Sequence, residues 1–254
     1  MRVLAFCNRK GGVGKTTSAL NIAAGLQARG KKVLFIDMDP QRNSTQVYRA
    51  KIEDEYTIYD VMTDACEIAD AIQHTETLGD IVPGDPQLDE VVYQIMQKTA
   101  SERILRKKLK KIDNIYDYVI IDTHPDQSIY VINALTASDG CIIPINADKF
   151  SIDGLADEMK IIDDVKENAN ENLSVCGILM TMIDTRNNLD KSMLENMPLV
   201  AEQLNIPYFK TYVRKAQAAK DIQTSSMPVF IEHPSATVSF DYKNLVDEIL
   251  EREP

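Results

Sequence analysis

Asn8-Arg9-Lys10-Gly11-Gly12-Val13-Gly14-Lys15-Thr16-Thr17 is the stretch that decides how this chain folds. It leaves a short apolar run, residues 2–7, and enters a segment with Ala19, Leu20, Ala23 and Leu26 at helical spacing. A run too short for a helix, then a glycine-rich turn, then a helical pattern, reads as strand, loop and helix. In that context the glycines let successive backbone N–H groups turn inward around phosphate oxygens. The helix N-terminus adds its partial positive charge. Gly11, Gly12, Val13, Gly14 and Thr17 belong to the cradle, Lys15 reaches the β- and γ-phosphates, and the Thr16 hydroxyl is placed for Mg²⁺. The strict pattern G-x-x-x-x-G-K-[ST] asks for glycine at position 9, where Arg9 stands, and a second lysine, Lys10, precedes Lys15.

Outward from the loop the chain alternates. Apolar runs at residues 32–37, 119–122, 141–145 and 175–183 read as buried strands. Residues 16–29, 88–97, 101–112, 154–168, 189–204 and 242–251 carry helical patterns, with Gly30 closing the first. Residues 52–73 read as short helices and 83–86 as a turn. Apolar strands alternating with helices predict an α/β fold: a doubly wound, mostly parallel sheet with helices on both faces. At 254 residues, with no repeat, low-complexity segment or linker, residues 1–254 are expected to form a single domain.

Two acidic strand ends extend the site. Ile36-Asp37-Met38-Asp39-Pro40-Gln41 puts carboxylates at the C-terminus of a parallel strand, facing the crevice where such sheets bind ligands. A carboxylate there can orient a water in line with a γ-phosphate. Tyr118-Val119-Ile120-Ile121-Asp122-Thr123-His124-Pro125 is an apolar strand closed by an aspartate suited to hold Mg²⁺.

Lys-Gly-Gly-Val-Gly-Lys-Thr-Thr at residues 10–17 resembles the deviant Walker A motif of the ParA/MinD group of P-loop ATPases. Asp-x-Asp-Pro-Gln at 37–41 resembles that group's second motif. Residues 144–155, 177–186 and 212–214 are similar to later family segments, with Tyr212 and His124 as departures. The resemblance implies ATP and Mg²⁺ as cofactors. It also implies that Lys15 acts in cis and that Lys10 touches the partner's nucleotide across an ATP-sandwiched homodimer. Asp39 then positions the attacking water, Asp37 lies near the metal with Thr16 and Asp122, and Met182 and Asp184 lie near the adenine.

Composition narrows the branch. The chain holds 39 acidic and 28 basic side chains, a net charge of −11, so any DNA contact uses a local patch. No apolar run reaches the roughly 20 residues of a membrane span, no signal peptide is apparent, and Cys7, Cys66, Cys141 and Cys176 read as core residues of a reducing cytosol. With the phosphate loop starting at residue 8, no N-terminal helix-turn-helix domain is expected. Residues 238–254 are net acidic, the wrong sign for anionic lipid, so no membrane contact is expected. The resemblance therefore favours a small partition ATPase, cytoplasmic and nucleoid-associated, that binds duplex DNA non-specifically and answers to a ParB-like centromere-binding protein. A MinD-like membrane-cycling ATPase and an ATP-dependent synthetase of the same superfamily are the alternatives. The DNA patch is expected at Arg214, Lys215 and Lys220, ahead of the basic run at Arg103, Arg106, Lys107, Lys108, Lys110 and Lys111, which reads as a solvated helix face.

Overall fold

Seven strands lie in one sheet, in the order β3-β4-β2-β5-β1-β6-β7. The computed structural model describes residues 1–76, 78–126, 128–148, 151–215 and 227–252. The strands are β1 (Arg2–Phe6), β2 (Val33–Met38), β3 (Gln73–Thr75), β4 (Gly79–Val82), β5 (Tyr118–Thr123), β6 (Gly140–Asn146) and β7 (Ser174–Thr181). All pair in parallel except β3, which runs antiparallel to β4. The helices are α1 (Lys15–Gln27), α2 (Asn43–Tyr48), α3 (Ile58–Thr63), α4 (Leu88–Met96), α5 (Ile104–Leu109), α6 (Ile129–Ala137), α7 (Ser151–Asn168), α8 (Asn188–Leu204), α9 (Val229–Glu232) and α10 (Thr237–Glu251). The expected doubly wound α/β architecture is what the chain adopts.

Alternating strand residues feed two cores, as the two-residue strand period requires. Val3, Ala5, Ile36, Ile121 and Ile143 face one side, with α3 to α8 packed over them. Leu4, Phe6, Phe35, Ile120 and Ile142 face the other, under α1 and α10. Helix α1 is buried nearly all round because α10 covers its back. At Gly25 a Cβ would come 2.7 Å from Val246 Cγ2, so only glycine lets the two helices approach this closely. Leu245 and Ile249 of α10 are buried, as its sequence predicts.

Three expectations need correction. The helix expected over 101–112 is broken: 3₁₀ turns at Ser101–Arg103 and Lys110–Ile112 flank the six residues of α5. Its basic run is no uniform solvated face either. Lys108 is 8% exposed, donates to the Cys66 carbonyl and lies 3.2 Å from Asp64, while Lys111 pairs with Glu67 at 2.7 Å. Strand β7 ends at Thr181, because Met182 takes a left-handed φ of 55°. Beyond α8, residues 207–215 follow β7 in parallel: Phe209 and Val213 donate backbone N–H groups to Ile178 and Met180 at 2.9 and 2.8 Å.

Candidate nucleotide site

Strand register assembles the acidic part of the site. Asp37 pairs with Asp122 across β2 and β5, and β5 pairs with β1, whose end becomes the loop. The loop therefore leaves the sheet beside both carboxylates, at the carboxyl ends of the strands. Gly12 and Gly14 have φ of 72° and 85°, and Gly14 begins α1 with no side-chain cap. The first-turn amides of α1 are thus left for an anion. Thr181 fixes the loop from outside: its hydroxyl lies 2.7 Å from the Val13 carbonyl and 3.0 Å from that of Ile145.

Lys15 is 6% exposed, and its Nζ donates to the carbonyls of Asn8 at 2.7 Å and Lys10 at 3.2 Å. Burial lowers its pKa, and the Asp122, Glu158 and Asp39 carboxylates oppose that. Both carbonyl bonds are replaceable by phosphate oxygens without moving the charge into apolar surroundings. Lys10 behaves differently. Its ammonium pairs with Asp148 and lies 3.2 Å from Asn146 Oδ1, both at the exit of β6. It faces a groove with Asn8, Arg9 and Asp126 rather than the cleft that Lys15 lines.

That cleft, about 380 Å³, is lined by Gly12, Gly14, Lys15, Thr16, Thr17, Asp39, Gln41, Asn43, Gln46 and His124. Asp37 and Asp122 are fully buried behind it. Burial, before all else, raises Asp37 to about 6 and Asp122 to about 7. Thr45 grips Asp37 Oδ2 through its amide at 2.8 Å and its hydroxyl at 2.7 Å, and Ser44 donates to Asp122 Oδ2 at 2.8 Å. Asp122 Oδ1 is buried with no hydrogen-bond partner. The Thr16 hydroxyl is close enough to lower the Asp122 pKa without forming a full hydrogen bond to this oxygen, and together they make a fitting donor pair for a hard divalent cation. Asp39 is 6% exposed and accepts the Gln41 N–H at 2.8 Å, with His124 Nε2 3.9 Å from the same oxygen.

Met182 and Asp184 lie past the end of β7, outside the lining of this cleft. Arg186 holds Asp184 at 2.9 Å and lowers its pKa to about 2. Arg214 is forked onto Asp241, with Nη2 at 2.5 Å and Nε at 3.0 Å, while Lys215 beside it is exposed. Lys220 lies outside the described residues.

Ser44, Thr45 and Gly84 complete the acidic centre, and none was singled out from sequence. Short helix α2 carries the two hydroxyls, and Gly84 donates its N–H to Thr45 Oγ1 at 2.7 Å. A Cβ on Gly84 would meet the Asp39 carbonyl at 2.9 Å and Asp37 Cγ at 3.0 Å. Gly84→Ala is therefore expected to displace the acidic pair and cost about 1–3 kcal/mol. Chemical denaturation and phosphate release check it; a variant unchanged in both would show that the turn relaxes freely.

Fold and cleft together define a P-loop nucleotide-binding protein. Residues 1–175 match the AAA_31 family, an AAA domain. The sporulation initiation inhibitor protein Soj of Bacillus subtilis is 32% identical over 98% of each chain. Chromosome partitioning protein ParA of Caulobacter vibrioides is 32% identical over all of this chain and 95% of its own. A cobyrinic acid a,c-diamide synthase from Mycobacterium smegmatis, solved with ADP and magnesium, superimposes with a TM-score of 0.85 at 25% identity, covering 99% of this chain and 94% of that one. The chain belongs to the ParA/MinD-like family of P-loop ATPases.

Proposed function

We propose that this protein is an ATP-dependent DNA segregation ATPase. In this reading ATP and Mg²⁺ occupy the cleft, and the ATP-loaded form is a homodimer that binds duplex DNA without regard to sequence. A centromere-binding protein of the ParB type stimulates its hydrolysis. Such a protein would be cytoplasmic and gathered on the nucleoid. Support comes from the near full-length relation to Soj and ParA. One observation carries the dimer: Lys10 does not line the cleft that Lys15 lines but faces a separate groove, where in this reading its ammonium exchanges Asp148 for a neighbour's nucleotide.

The roles divide as follows. Lys15 and the loop amides of Gly11, Gly12, Val13 and Gly14 hold the phosphates, with Thr16 and Thr17 at the helix start. Thr16, Asp122 and Asp37 hold Mg²⁺, which when bound neutralises charge on the β- and γ-phosphate oxygens. Asp39 takes up and orients the water, and Met182 and Asp184 flank the base. The DNA patch uses Arg214, Lys215 and Lys220.

At net −11, binding a polyanion requires several cations gathered together, and a two-fold dimer doubles each patch. With about five phosphates neutralised, log K falls with log salt at a slope of roughly −4 to −5. The expected result is equal binding of unrelated duplexes with ATP and weak binding with ADP. Because Arg214 is spent on Asp241, Lys215→Glu is the cleaner variant, and it should weaken binding at unchanged basal hydrolysis. Gel shifts at two salt concentrations decide this. Tight binding at one site, or binding indifferent to nucleotide, would overturn it. ATP-dependent liposome association without DNA binding would favour the membrane-cycling relatives. ATP turnover that depends on an added carboxylic acid substrate would favour the synthetases, the class named for the Mycobacterium smegmatis neighbour.

A further inference from the structure

Among the described side chains of α7, Glu158 is the one carboxylate in the core-facing row, and none of the roles assigned above is its own. Leu155, Ile162 and Val165 share its face at helical spacing and are 1%, 0% and 4% exposed; Glu158 itself is 1% exposed. Burying a carboxylate in such a row is costly unless it is hydrogen-bonded. Its Oε2 accepts the backbone N–H of Arg9 at 3.0 Å. Burial raises its pKa, opposed by the Arg9 amide, the Cys7 thiol and the charges of Lys15 and Arg9. Next to it on α7, Asp157 lies 3.8 Å from the Arg9 guanidinium. The helix thus engages Arg9 at both backbone and side chain, at the position where the strict phosphate-loop pattern has glycine.

The adjoining residues are held with equal economy. Asn8 Oδ1 accepts the Lys10 N–H at 2.8 Å, and Asn8 Nδ2 donates to the Pro144 carbonyl at 2.7 Å. Leu in place of Glu158 would fill similar volume in the apolar row but leave the Arg9 amide without its acceptor. We infer that Glu158 is a positioning residue for the dimer-reaching lysine: it pins the Arg9 amide and, through the Arg9–Lys10 peptide, sets where the Lys10 ammonium leaves the loop. The assignment rests on the proposed reading of Lys10 as partner-facing. Glu158 acts before dimerisation; it also supports the Lys15 charge, but Asp122 and Asp39 do so too, so the monomer's hold on its own nucleotide does not depend on it alone.

The test uses Glu158→Leu and Glu158→Gln in the full chain, with two readouts. Amide exchange of Arg9 and Lys10, followed by NMR in the ADP-bound monomer, should speed up by about tenfold or more in the leucine variant. In an Asp39→Ala background, dimerisation with MgATP should weaken by about tenfold or more, while monomer ATP affinity stays within about threefold. The glutamine variant keeps an acceptor oxygen and should restore both readouts to within about threefold of the parent. Glu158→Met, which also lacks an acceptor, serves if the leucine variant does not fold. Unchanged exchange in the leucine variant, or a glutamine variant as impaired as the leucine one, overturns the inference. If Asp39→Ala stays monomeric with ATP while the leucine variant speeds exchange, the dimer reading fails and the pinning of Arg9 stands.

Discussion

Lys15→Ala should lose nucleotide affinity by about a hundredfold or more, whereas Asp39→Ala should bind ATP within about threefold of the parent and lose turnover by about a hundredfold or more. The difference follows from where the two side chains stand. Lys15 is held at the base of the loop by the carbonyls of Asn8 and Lys10, so its ammonium meets the phosphates in every bound state. Asp39 sits at the side of the cleft, fixed by the Gln41 amide, where a carboxylate acts on a water more than on the ground-state nucleotide. Titration with a fluorescent ATP analogue, paired with phosphate release, separates the two. Equal loss of affinity in both variants would defeat this division of labour.

The metal-free protein should lose stability as pH rises from about 5 to 8, by an amount on the order of several kcal/mol. Folding raises Asp37 to about 6 and Asp122 to about 7, chiefly by burial. A carboxyl raised in the fold is favoured in its neutral form. Its contribution is complete below the unfolded pKa of about 4 and fades as pH climbs through 6 and 7. In the proposed assignment Mg²⁺ requires the ionised pair, so stabilisation by MgADP should grow across the same window. Urea midpoints at pH 5 and pH 8, with and without MgADP, measure both trends. Asp122→Asn should flatten the metal-free slope. Metal-free stability that is flat or rising with pH would contradict the assignment.

Signals that lie in contiguous residues were legible; signals that depend on packing were not. Strands β1, β2, β5, β6 and β7 are each built around an apolar run, and the glycine–lysine turn between β1 and α1 carries its own chemistry. Helix α6 was missed because Ile129, Tyr130, Val131, Ala134 and Leu135 are buried on nearly every side, which removes the polar stripe that marks a helix. Helix α2 is six residues long, bounded by Arg42 and Arg49 at φ of 57° and 55°, and its turns carry no glycine to announce them. The β3–β4 hairpin is too short and too polar for an alternation to show. Glu158 stands in an acid-rich helix, where a sequence reading treats it as one more solvated charge. The spacing of Leu155, Ile162 and Val165 puts it on the apolar face, and the hydrogen bond from the Arg9 amide shows what it does there.

The backbone partners that residues 207–215 give to β7 close one border of the sheet. Ile178 and Ile183 spend their N–H groups on Pro207 and Val213, and their carbonyls accept from Phe209 and Lys215. An unpaired strand is a template on which another chain can add its own, and the second half of β7 is already taken. The opposite border is β3, three residues long and reversed in direction, a poor seed for extension. If, as proposed, the chain collects at high local density on a nucleic acid, these borders guard it against growing into a filament through its backbone. Copies of it are left to recognise one another through side chains, where a bound nucleotide can decide the outcome.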